Sequence, residues 1–127
     1  MGDLGIGRQP FVDAITELAG SVYSFHERFN IGMVDVRDDE ATLEALRQRL
    51  SLLIEEAGEH AHELNRGNVE AAISEVVDTA YIALGTVLRL AEPGRDACLA
   101  VARKNDAKSL TTHGARSGTG KVVAREA

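Results

Sequence analysis

Residues 53–90 read LIEEAGEHAHELNRGNVEAAISEVVDTAYIALGTVLRL, and this stretch decides the fold. Asn65-Arg66-Gly67-Asn68 divides it. Gly67 can adopt the left-handed backbone that ends one helix, and Asn68 can cap the next. Before the turn, Leu43, Leu46, Leu50, Leu53, Ala57, Ala61 and Leu64 recur in steps of three and four. That is one stripe of a helix over residues 39–65, with Asp38 or Asp39 as its cap. After the turn, Val69, Ile73, Val76, Ala80, Ala83 and Val87 mark a helix over residues 68–90. Val77, Tyr81, Ile82, Leu84 and Leu88 lie off that stripe, so this helix is apolar nearly all round. Such a helix calls for protein on every side.

Upstream, Pro10 can open a helix, and Phe11, Ile15, Leu18, Val22, Phe25 and Phe29 give it an apolar face over residues 10–29. Downstream, Glu92-Pro93-Gly94 breaks the third helix, and a shorter fourth spans residues 94–106. Residues 109–127 are rich in Gly, Thr, Ser and basic side chains and read as an irregular tail. The expected architecture is all-α: an antiparallel four-helix bundle in a domain of residues 1–108, followed by the basic tail of residues 109–127. Four helices of this length cannot surround the third, so a second copy is expected to complete the bundle.

Composition narrows the function. The 127 residues suit one domain with a tail, and a hydrophobic content of 44% with 27% charged residues excludes general disorder. Aromatics at 4% and no tryptophan disfavour a β-sandwich. The single cysteine, Cys98, cannot pair within the chain, so a reducing cytoplasm is expected. No signal peptide or uncharged run of about 20 apolar residues is evident, which points away from a membrane. Met1-Gly2 opens like a myristoylation signal, but Ile6 stands where Ser or Thr is needed. A net charge of −6 argues against nucleic acid as partner.

That charge is unevenly spread. Glu55, Glu56, Glu59, Glu63, Glu70, Glu75 and Asp78 face only Arg66 in the middle of the chain. All three lysines, Lys104, Lys108 and Lys121, lie near the end. An acidic middle and a basic end suit a metal ion together with a polyphosphate.

Within the acidic region Glu56 and Glu59 are one helical step apart, as are Glu75 and Asp78. That spacing sets each pair about 5–6 Å apart on one face. Folded back through the turn, both pairs lie about 10–15 Å from it and can come level. Glu56 and Glu59 point away from the Leu50 stripe, as surface glutamates do. Glu75 and Asp78 are the only charges between Glu70 and Arg89, on the most apolar helix. Two like charges about 5 Å apart repel by roughly 3 kcal/mol at an effective dielectric near 20. A divalent cation relieves that repulsion, and all-oxygen ligands suit Mg²⁺, or Mn²⁺, shared with phosphates.

These residues resemble a known pattern. Glu56-Ala57-Gly58-Glu59 followed by Glu75-Val76-Val77-Asp78, with the extra Glu55, is similar to the signature of the MazG-like all-α nucleoside triphosphate pyrophosphohydrolases. Phe25-His26-Glu27-Arg28-Phe29, Lys104-Asn105-Asp106-Ala107-Lys108 and Gly120-Lys121 resemble its phosphoribosyl-ATP-pyrophosphohydrolase-like branch. The resemblance implies a dimer or tetramer that hydrolyses a (d)NTP to (d)NMP and pyrophosphate with Mg²⁺, as nucleotide-pool house-cleaning does. It implies that Glu56, Glu59, Glu75 and Asp78 hold metal and that Glu55 and Glu56 serve the catalytic step. Lys104, Asn105, Lys108 and Lys121 would bind substrate, with the tail closing over the nucleotide.

Three other readings compete. A non-catalytic helical interaction module would use the apolar third helix to bind a partner. A di-iron carboxylate bundle finds one Glu-x-x-His, Glu59 to His62, but Asp78 stands where a second His is required. His60 and His62 then read as surface residues. Residues 115–122, ending in Gly-Thr-Gly-Lys-Val, lack the first Gly, the Ser/Thr and the strand–loop–helix context of a phosphate-binding loop.

Overall fold

A computed structural model describes residues 4–126; Met1 and Gly2, the potential lipidation site, lie outside the described residues. The chain is helical, with α1 (Arg8–Arg28), α2 (Asp39–Asn65), α3 (Val69–Arg89) and α4 (Ala91–Asp106). A small ribbon, β1 (His113–Ala115) and β2 (Val122–Ala124), follows. It divides into two compact units, Met1–Gly94 and Arg95–Ala127, and α4 runs across the boundary between them.

Capping explains most helix ends. The Asp38 carboxylate accepts from the amides of Glu40 and Ala41, at 3.0 and 3.2 Å, and so starts α2. Asn68 starts α3 by accepting from the Ala71 amide at 3.1 Å. Gly67, at φ 71°, makes the reversal that a side chain would resist. Helix α1 begins at Arg8, before Pro10, and ends at Arg28, where Asn30 turns left-handed and the Ile31 amide reaches back to the His26 carbonyl at 2.9 Å.

Two expectations change here. The third and fourth helices part at Ala91, which has φ 57°, and not at Glu92-Pro93-Gly94. Pro93 sits in the first turn of α4, where its missing N–H costs no hydrogen bond. The tail is not wholly irregular either. His113 pairs with Ala124 and Ala115 with Val122 in an antiparallel ribbon. The stretch read against a phosphate-binding loop is the tip of this hairpin, closed from the Arg116 amide to the Lys121 carbonyl at 2.7 Å, with Gly118 and Gly120 at positive φ.

In the first unit, α3 packs against both α1 and α2. The surfaces it uses mix polar with apolar side chains. On α2 the half-buried positions are Ala41, Thr42, Ala45, Arg49, Leu52, Leu53, Glu56, His60 and Glu63, while Leu43, Leu46, Leu50 and Leu64 face outward. On α3 the facing series is Ala72, Glu75, Thr79, Ile82, Thr86 and Arg89. Both contain series in steps of three and four, so a seam rich in polar side chains lies between two helices that leave much apolar surface exposed, although Leu52 and Leu53 of α2 and Tyr81, Leu84, Val87 and Leu88 of α3 are half-buried. Among the described residues only Val22 and Ala72 are buried apolar side chains, and Ile54 and Ile73 stay 62% and 61% exposed. The expected envelopment of α3 is therefore absent within one chain.

Candidate metal centre

The seam sets its own register. Arg49 Nη2 donates to the Ile82 carbonyl at 2.9 Å, and its Nε donates to the Thr86 hydroxyl at 3.0 Å. Seven residues along α2, Glu56 arrives opposite Glu75 and Asp78. One carboxylate oxygen from each of these three lies within 4.8 Å of the others. Glu56 and Glu75 are half-buried and Asp78 is exposed, so the cluster opens to water along one edge.

Its electrostatics are those of crowded anions. Burial first, then the charges of Glu59, Glu75 and Asp78, push the Glu56 carboxyl above its usual range. Glu75 Oε2 is buried with no hydrogen-bond donor. No arginine or lysine among the described residues forms an ion pair with Glu56, Glu75 or Asp78. An oxygen set with an orphaned lone pair and no organic cation fits a hard divalent ion.

Glu55 and Glu59 are placed beside this trio. They line a cavity of about 440 Å³ with Gly58, His62, Glu63 and Glu75. Glu59 is exposed and stands outside the closest group, whereas Glu56, expected at the surface with it, turns into the seam. The reason is rotation of α2: its inward face carries Arg49, Glu56, His60 and Glu63 in place of the leucine stripe. His60, also expected at the surface, is half-buried and its Nδ1 has no partner. The missed signal was a run of polar residues at helical spacing, each unremarkable alone.

The four substrate-binding candidates lie in the second unit. Lys108 Nζ donates to Asn105 Oδ1 at 2.9 Å, and Asn105 Nδ2 donates to the Val101 carbonyl at 2.9 Å. Asn105 and Lys108 line a groove of about 540 Å³ with Ser109, His113 and Val122. Lys121 is on the hairpin tip, and Lys104 is exposed in the last turn of α4.

By length and composition α3 could also cross a membrane. Glu75 and Asp78 near its middle oppose that, at about 2.5–3.5 kcal/mol for a buried acid at a bilayer centre. Comparison with family models, with curated proteins and with solved structures finds no match for the chain.

Proposed function

We propose that this chain is a Mg²⁺-dependent nucleoside triphosphate pyrophosphohydrolase of the MazG-like kind, converting a (d)NTP and water to a (d)NMP and pyrophosphate. The observation that carries the reading is the meeting of Glu56, Glu75 and Asp78 oxygens within 4.8 Å on two helices, with no side-chain cation to neutralise them. With Glu59 they are the ligand set; Mn²⁺ is an acceptable substitute. The bound ion supplies charge neutralisation to the phosphate oxygens.

The chain's residues do the rest. Glu55, on the cavity wall, and Glu56, in the adjoining cluster, orient water for attack at the α-phosphorus. The new P–O bond forms as the bond to the pyrophosphate oxygen breaks, and pyrophosphate leaves with the electron pair. Glu55, exposed beside the ligand set, is the carboxylate available to take the water's proton. Lys104, Asn105, Lys108 and Lys121 are the side chains that would offset triphosphate charge. The helices form an antiparallel bundle, and a second copy covers the outward stripe of Leu43, Leu46, Leu50 and Leu64 with the exposed side of α3. A cytoplasmic site of action, where triphosphates and Mg²⁺ occur, follows from that chemistry.

The test is a panel of ribo- and deoxyribonucleoside triphosphates given to the purified full chain with Mg²⁺ or EDTA, with pyrophosphate and monophosphate both measured. Equimolar release of both, only with Mg²⁺, is expected. No release from any triphosphate, together with no melting shift where ligand at 100 times Kd adds about 2.7 kcal/mol, would leave a helical interaction module instead.

A further inference from the structure

At the other end of the polar seam three basic side chains, His26, Arg49 and Arg89, lie near one another, none of them ion-paired among the described residues. His26 is 6% exposed, the one buried polar residue among those described, and its Nδ1 has no hydrogen-bond partner. Arg49 reaches the Nε2 edge of the same ring: a Cβ placed on Gly85 would stand 2.7 Å from His26 Nε2 and 2.8 Å from Arg49 Nη2. Gly85 is thus the gap in α3 that lets both groups approach its backbone. Arg89, at the end of α3, donates Nε to the Gly32 carbonyl at 3.0 Å.

Neither Arg49 nor Arg89 forms an ion pair among the described residues. Burial and Arg89 together lower the proton affinity of Arg49, and burial with both arginines lowers that of His26. A buried ring nitrogen with no partner is costly, and once protonated it is a donor that an anion can accept. Beside the ring is a cavity of about 120 Å³ lined by His26 and Arg89, with Tyr23, Glu27, Ile31 and Met33. It has room for one tetrahedral oxyanion and none for a nucleoside.

We infer that His26 and Arg89 form a binding site for a single tetrahedral oxyanion, phosphate in chemical class, between α1 and the end of α3, with Arg49 of α2 as a nearby positive charge outside the cavity wall. Arg89 and the protonated His26 ring donate to the anion, and Arg49 adds charge from behind the ring. Glu27 and the Tyr23 hydroxyl are the other titratable groups on the cavity wall, and Glu27 sets the site against carboxylate-rich multivalent ligands. These basic residues are distinct from the acidic cluster, so the inference stands whether or not that cluster holds metal. Binding ties α1 to the end of α3.

The probe is sulfate, which stays a dianion across the pH range used, compared with chloride at equal ionic strength. The full chain in EDTA is followed by the histidine-ring NMR signals, with His26 identified by its loss in His26→Gln. Sulfate should raise the His26 titration midpoint by about one pH unit, equivalent to about tenfold tighter binding to the imidazolium form. His60, His62 and His113 should not move. Arg89→Gln should abolish the shift. Inorganic phosphate should reproduce it, and a nucleoside monophosphate should do so only if its phosphoryl group enters alone, which separates a free ion from a nucleotide source. A His26 midpoint identical in sulfate and chloride overturns the proposal, as does an equal shift in folded Arg89→Gln. The wild-type measurement decides by itself if that variant does not fold.

Discussion

Glu56 on α2 and Glu75 on α3 face each other across the seam, with carboxylate oxygens within 4.8 Å and Glu75 Oε2 buried without a donor. Two ionised acids so placed repel by about 3 kcal/mol or more at an effective dielectric near 20, a large share of a typical stability of about 5–15 kcal/mol. The divalent ion proposed for this cluster would relieve that repulsion.

Removing a ligand should therefore separate activity from folding. Glu56→Ala and Asp78→Ala are expected to lose Mg²⁺-dependent pyrophosphate release while keeping wild-type far-UV circular dichroism. Wild-type turnover in either would remove that residue from the metal set.

The raised Glu56 carboxyl makes a pH prediction with a definite sign. Its proton is held in the folded chain over a range where the unfolded chain has released it. Metal-free stability is therefore higher below the ordinary 4.5 and falls as pH rises from there through the folded value. Urea unfolding in EDTA should show that decline, and Glu56→Gln should flatten it. Saturating Mg²⁺ should restore stability at neutral pH, since the ion binds the deprotonated cluster.

Ile54 and Ile73, at 62% and 61% exposed, lie on apolar surfaces left open among the described residues. Light scattering should give the mass of a dimer or tetramer. Ile54→Asp or Ile73→Asp should shift it towards the monomer. A wild-type monomer at micromolar concentration would contradict completion by a second copy.

Gly85→Ala should destabilise the chain by about 1–3 kcal/mol, because its methyl group enters the space held by His26 and Arg49. Much of that cost should vanish in the background of His26→Ala, where the ring is gone. The double-mutant cycle in urea measures the coupling, and simple additivity would place the clash elsewhere.

Lys108→Ala removes the ammonium that Asn105 now orients. A charged hydrogen bond is worth about 1.5–3 kcal/mol, so KM for the preferred triphosphate should rise roughly tenfold or more. An unchanged KM would take the second unit's groove out of substrate binding.

Sequence alone determined the helical segments and their turns, because caps, glycines and spacing act within a few residues of where they stand. Asp38, Gly67 and Asn68 are local switches, and the structure uses all three. It also marked Glu75 and Asp78 as anomalous, since a charge pair on an apolar helix is visible without coordinates. What it could not decide was helix rotation. The leucine stripe of α2 is the obvious inward face by hydrophobicity, yet the folded chain turns Arg49, Glu56 and His60 inward and leaves Leu50 outside. Apolar periodicity says that a face needs covering and is silent on what covers it. Only tertiary packing chose the polar face for α3, and that choice brings Glu56 to Glu75 and His26 to Arg49.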